Sequence, residues 1–260
     1  MILDATCHIS FTATAPTPVI MMLRPRSGYA QWITREEYAF SPHGPVVEYA
    51  DHFGNLCQRV LIPAGQFDVH CSCRAHAADT IDVDPHAAFV PVHVLPESAL
   101  QFLLPSRYCQ SDMLHDLASS IVGQRPAGYT QVAAIEQWLR DHMQYVPGAS
   151  NEHTSALDTA STKAGVCRDY AHLGVALTRS LNIPARMVVG YQYRLEPMDL
   201  HAWFEAYVGG RWFTFDGVQK QCCGNRIMIG YGRDAADVAL ASNYGPLQLN
   251  TMKVTVDMAP

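Results

Sequence analysis

Three residues of this chain have the types and separation that thiol chemistry needs. Cys167 lies in KAGVCRDYAHLGVALTRSLNIPAR (163–186), and His201 and Asp216 lie in LHAWFEAYVGGRWFTFDG (200–217). The thiolate is the reactive form of cysteine, and a free thiol at neutral pH is mostly protonated. The unpaired N–H groups and the dipole of a helix N-terminus stabilise an anion placed there. Cys167 falls in the first turn of a predicted helix, after Gly165, a residue that lets the chain turn and leaves the sulfur side open. The apolar stripe Val166, Tyr170, Leu173, Leu177 and Leu181 points at a core, and Cys167 is offset from Val166 by about 100°. Taken alone, the cysteine reads equally well as a buried structural thiol.

The strand pair changes that balance. Gly209-Gly210 is a two-residue hairpin signal, because primed turns need positive φ. A turn there opposes Val208 to Arg211 and, counting on, Trp203 to Asp216. His201 is two residues from Trp203 and shares its sheet face. His201 and Asp216 thus become diagonal neighbours about 7–8 Å apart at the backbone, within side-chain reach. A carboxylate on one ring nitrogen sets the imidazole tautomer and leaves the other nitrogen for a thiol. Nucleophile, base and orienting acid is the arrangement of thiol acyl transfer. A slip of one residue would put His201 and Asp216 on opposite faces. Each residue also has an ordinary reading: His201 is one of twelve histidines, and an Asp-Gly pair suits any strand end.

The elements that must position these residues are legible in outline. From Thr6 to about Val94, short β-like stretches (CHISFTA, VIMML, VVEYA, LCQRVLI, FDVHCSC) are separated by turn residues (PRSG, SPHGP, DHFGN, PAGQ). That pattern predicts a β-sandwich or small barrel. A Pro-rich connector spans about residues 85–105, where proline interrupts helix and ladder alike. Helices are expected in SDMLHDLASSIVG, capped by Ser111 and stopped by Gly123, and in TQVAAIEQWLRDHM, capped by Thr130. The Cys167 helix ends before Pro184, and ARMVVGYQY follows as a strand. These elements divide into a β-rich domain over residues 1–95 and a catalytic domain over residues 96–260.

Composition bounds the partners. The net charge of −6, with no Lys/Arg run, argues against nucleic acid and anionic membrane surfaces. No apolar run approaches the roughly 18 residues of a membrane span. The first residues lack the basic start and apolar core of a signal peptide. The expected location is cytoplasmic. In that setting most of the eight cysteines read as small buried hydrophobes. Cys71, Cys73 and His76 in CSCRAH, or the Cys222-Cys223 pair, could ligate a metal, but their spacing is not that of a structural zinc site. Cys222 and Cys223 could also flank a cleft as redox-sensitive thiols. Trp203 and Trp212 could line a substrate groove, although packing is the expectation for Trp212.

AGVCRDYAHLGVALTRSLNIPARMVVGY followed by DLHAWFEAYVGGRWFTFDGV resembles the transglutaminase-like superfamily, in its bacterial cysteine peptidase-like branch. LLPSRYCQSD, QVAAIEQWLRDHMQYVPGAS and YADHFGN resemble the same branch, so the likeness covers nearly the whole chain. The resemblance implies an α+β protein, with an N-terminal β-sandwich-like domain followed by a papain-like catalytic core. It implies Cys167 as nucleophile, His201 as base and Asp216 as orienting acid. The family often carries Asp-Pro where this chain has Asp216-Gly217-Val218, which leaves the turn after the acid in question.

An oxyanion hole is also needed. The Cys167 backbone N–H is one donor, and the second is expected from the segment Tyr145–Ser150. Arg168, Asp169 and His172 are read as local support. The expected activity is hydrolysis of a peptide or protein amide through an acyl-enzyme, without cofactor or metal. Protein-glutamine crosslinking is the alternative within enzymes, and a non-catalytic binding module on the same fold is the alternative outside them. An arylamine acyltransferase is a poorer match. Calcium dependence has no acidic loop to support it.

Overall fold

The computed structural model describes residues 1–28, 30–220 and 223–259. The first third forms β1 (Ile2–Ala13), β2 (Thr17–Arg24), β3 (Gln31–Ser41), β4 (Val46–Ala50), β5 (Leu56–Ile62) and β6 (Gly65–Ala77). Strict alternation builds the interior. Leu3, Ala5, Cys7 and Ile9 of β1 and Phe67, Val69, Cys71, Cys73 and Ala75 of β6 are all buried. Cys71 and Cys73 face this interior while His76 is exposed, so CSCRAH does not gather a ligand set. β3 was not legible as a strand. It is an edge strand with an exposed Arg35-Glu37 pair, so its solvent side is charged instead of alternating.

After the Pro-rich connector come α1 (Glu97–Leu100), α2 (His115–Val122), α3 (Tyr129–His142), β7 (Gln144–Tyr145), α4 (Ala156–Thr162), β8 (Ala164–Gly165) and α5 (Cys167–Ser180). The strands β9 (Ala185–Gln192), β10 (His201–Val208), β11 (Arg211–Phe215) and β12 (Arg226–Gly232) then form an antiparallel sheet of order β11-β10-β9-β12. Two expected caps differ. Ser111 opens a 3₁₀ turn ahead of α2, and Thr130 lies inside α3, where its hydroxyl donates to the Pro126 carbonyl at 2.6 Å. Gly123 ends α2 with a positive φ of 55°, the stop its position suggested.

The last strands, β13 (Ala241–Asn243) and β14 (Leu247–Met258), return to the N-terminal sheets. The sandwich orders are β14-β1-β6-β3 and β13-β2-β5-β4. A cut at residue 95/96 that assigns all of 96–260 to the catalytic domain therefore does not follow the strand pairing. Without β14, β1 would expose a twelve-residue edge. One buried cluster also runs from the sandwich into the second sheet through Met187, Val189, Tyr191, Ala202, Ile227 and Ile229.

Two side-chain amides fix this junction on β12, an edge strand. Gln31 donates from Nε2 to the Met228 carbonyl at 2.8 Å, and its Oε1 accepts the Met228 N–H at 2.7 Å. Asn55 repeats this on Tyr231, at 2.8 and 3.0 Å. Asn55 is set by the DHFGN turn, where Asp51 accepts from the Phe53 and Asn55 N–H groups at 2.8 Å each. The amides replace a missing neighbouring strand.

Candidate active site

α5 begins where three side chains converge. Asp169 is fully buried, and its Oδ2 accepts the Val166 N–H at 2.8 Å and the Ser150 hydroxyl at 2.5 Å. Arg168 bonds its Oδ1 at 3.0 Å. These contacts serve orphan donors at the helix start and bear out the supporting role read for Arg168 and Asp169. Gly165 is needed for close approach: a Cβ there would lie 2.6 Å from Asp169 Cβ. Its φ is not in the left-handed region, so the sharp-turn explanation does not apply. From Asp169 to Arg179 every residue of α5 is buried. The helix is enclosed all round, where the apolar stripe suggested one inward face.

The hairpin register is the one the Gly-Gly pair implied. Val208 pairs with Arg211 and Phe204 with Phe215, and Gly209 and Gly210 have φ of 58° and 86°. His201 and Asp216 meet: His201 Nε2 and Asp216 Oδ2 are 2.7 Å apart, and both residues are buried. An ionised carboxylate only accepts, so Nε2 carries the proton and Nδ1 is the nitrogen left over. Gly217 and Val218 explain the missing proline. Asp216 Oδ1 accepts the Val218 N–H at 3.0 Å, and a Cβ on Gly217 would press Leu139 of α3 at 2.7 Å.

Asp216 has partners beyond His201. Arg226 Nη2 donates to the same Oδ2 at 2.8 Å. The Asp216 N–H donates to Glu136 at 2.7 Å, and its carbonyl accepts from Arg140 at 3.2 Å. Burial pushes this carboxyl up, but Arg226 and His201 outweigh burial and hold it below the usual range. Glu136 and Arg140 could have been found from their i,i+4 spacing on α3. Arg226 had no signal, since no motif or spacing in the sequence ties it to Asp216.

Cys167 keeps part of its surface open, and the nearby backbone N–H groups of Ala202, next to His201, and of Arg168 favour its thiolate. Burial pushes the thiol up to about 12 and outweighs those donors, while Asp216 and Asp199 add to the rise. Burial thus works against the depression expected from the helix N-terminus. Tyr145 sits beside it: β7 runs parallel to β8 and pairs Tyr145 with Gly165. Burial raises the Tyr145 phenol to about 12, and the nearby Cys167 adds to that rise.

A cleft of about 730 Å³ is bordered by Tyr145, Leu200, His201, Val218, Lys220 and Cys223. Cys223 is exposed, and Cys222 lies outside the described residues. Trp203 and Trp212 line a separate cavity of about 460 Å³, which does not include His201. Trp203 is buried, with its ring stacked against His201 at 6.0 Å. Trp212 packs edge-on to Phe102 at 5.4 Å, as expected. His172 is buried against Tyr108, its ring centroid 5.0 Å away, and accepts the Ala235 N–H at 3.1 Å.

Residues 115–217, which contain Cys167, His201 and Asp216, match the model of the transglutaminase-like superfamily. The chain is 34% identical to a solved structure from Cytophaga hutchinsonii described as "a Putative Cysteine Protease", with TM-score 0.90 over 100% of this chain and 93% of that one. It is 26% identical to an uncharacterized protein of Mycobacterium leprae (strain TN), over 84% of this chain and 82% of that protein. An uncharacterized protein of Mycobacterium tuberculosis (strain ATCC 25618 / H37Rv) is 28% identical over 70% of this chain and 56% of its own length. This α+β chain belongs to the transglutaminase-like superfamily.

Proposed function

We propose that the chain is a thiol acyl-transfer enzyme that hydrolyses an amide bond of a peptide or protein, with Cys167 as nucleophile, His201 as base and Asp216 as orienting acid. The observation that carries this reading is the buried 2.7 Å contact of His201 Nε2 with Asp216. It leaves Nδ1 as the proton acceptor. A thiol raised to about 12 rests protonated, so proton transfer to Nδ1 accompanies attack of the sulfur on the carbonyl carbon. The oxyanion is met by the Cys167 N–H and by a donor from residues 145–150. The resulting imidazolium protonates the leaving amine, and the C–N bond breaks to give a thioester. His201 then takes a proton from water as the oxygen attacks. The thioester opens to a carboxylic acid, and the sulfur recovers its proton. Apart from the attacking water, every step uses groups of the chain itself, and a cytoplasmic location suits a free thiol.

The test is digestion of a peptide library with the full chain, with new termini read by mass spectrometry. Wild type is expected to generate new termini and a transient adduct on Cys167, and Cys167→Ala neither. Iodoacetamide should label Cys167 more slowly in His201→Ala than in wild type. Cleavage that persists in Cys167→Ala refutes the reading.

A further inference from the structure

We infer that Arg226 is a positioning residue of this site: its guanidinium shares Asp216 Oδ2 with His201 and thereby sets how tightly the imidazole holds a proton. The catalytic consequence rests on the acyl-transfer reading, whereas the electrostatic claim stands without it. The two donors approach one oxygen at 2.7 Å and 2.8 Å. The Arg226 side chain is 7% exposed and is held from several sides. Its Nε donates to the Cys223 carbonyl at 2.9 Å, its guanidinium lies 4.9 Å from the Trp203 ring centroid, and its backbone pairs with Gln192 of β9. The same Trp203 ring stacks on His201, so the guanidinium and the imidazole share both an indole and a carboxylate.

A carboxylate alone beside a buried imidazole strongly favours the imidazolium. A permanent cation on the same oxygen opposes that preference. The neutral imidazole is the form that can take the proton of a protonated thiol. The other charged and titratable groups around the pair do not duplicate this. Glu136 and Arg140 of α3 face the Asp216 backbone and pair with each other at 3.4 Å. Cys167 of α5 and Asp199, ahead of β10, lie on the thiol side, and Lys220 and Tyr145 border the cleft. Arg226 also sits two residues from Met228, which Gln31 clamps, so the N-terminal sandwich helps fix the guanidinium.

The experiment is a pH titration of the His201 imidazole by NMR in the full chain, with the resonance assigned by comparison with His201→Gln. Arg226→Met is expected to move the midpoint up by about two pH units, the size of one charge removed from a few ångströms away at an effective dielectric constant of about 20. Arg226→Lys, which keeps the charge, should move it by less than half as much. Guanidinium ion added to Arg226→Met should bring it back down. Arg226→Gln keeps a donor without the charge and is the second variant if Arg226→Met does not fold, with the same upward shift. A midpoint unmoved in the neutral variants, or moved equally by Lys, overturns the inference. Peptide cleavage absent from wild type, with the midpoint shift present, refutes the acyl-transfer reading and leaves the positioning role intact.

Discussion

Acidification should loosen the helix that carries Cys167, and His172 sets the size of the effect. His172 lies on α5 with no exposed surface. Its Nε2 accepts the Ala235 N–H at 3.1 Å, so that nitrogen is unprotonated in the fold. Its Nδ1 has no hydrogen-bond partner among the described residues. Burial pushes the imidazole down from about 6.5 to about 4, with Asp234 opposing and Arg168 and Arg179 assisting. The folded value lies below the unfolded one, so the unfolded chain binds more protons. Stability is full above about 6.5 and is lost as pH falls toward about 4. Between pH 7 and pH 5 this one group accounts for about 2 kcal/mol. The assay is urea unfolding at both pH values, on wild type and on His172→Gln, whose amide oxygen can still accept from Ala235 but does not titrate. Wild type should lose about 2 kcal/mol more than the variant, the other histidines cancelling in the difference. Equal losses in the two proteins would refute the assignment of His172 as a neutral anchor.

Other substitutions probe other links. Asn55→Ala strands the Tyr231 N–H and carbonyl at the junction and should cost about 2–5 kcal/mol in urea unfolding. Gly165→Ala drives a Cβ to within 2.6 Å of Asp169 Cβ. It should lower stability by about 1–3 kcal/mol, measurable by thermal melting, and slow Cys167 labelling as the start of α5 shifts. Asp216→Asn leaves the Arg226 charge buried without its anion, a loss of about 3–5 kcal/mol in urea unfolding. The same variant should slow single-turnover acyl transfer by about a thousandfold or more, as in other enzymes whose orienting acid is lost. Because Asp216 is held below the usual range, its contribution to stability is present above about 3.9 and is lost as pH falls below that. The acid wing of the wild-type stability curve should therefore be shallower in Asp216→Asn.

The features legible in the sequence are those written into local pattern. Gly209-Gly210 allowed the hairpin register to be counted, and the count put His201 and Asp216 on one face, where they are found 2.7 Å apart. Alternation in β1 and β6 was equally plain. What stayed illegible depends on contacts between distant segments. The thiol rises because the fold buries it, and no property of the α5 sequence reports that burial. The return of β14 to β1 answers the need to cover an edge, which is a property of the finished sheet. The Asp-Gly departure was visible in the sequence, but its harmlessness required the Val218 N–H and the Leu139 contact.

The N-terminal sandwich acquires a reason from the same contacts. β12 is the edge of the second sheet, and its outer groups at Met228 and Tyr231 are satisfied by Gln31 and Asn55. A side-chain amide presents a donor and an acceptor as a backbone peptide does, but it binds at one residue and propagates no ladder. It therefore pins position without extending the sheet. Arg226 opens β12, so the pinned register sets where the guanidinium reaches Asp216. Gln31→Ala should accordingly displace the His201 titration midpoint upward, in the direction of Arg226→Met but by less, because the charge remains present and only its placement relaxes. A Gln31→Ala midpoint equal to wild type would confine the sandwich to a packing role.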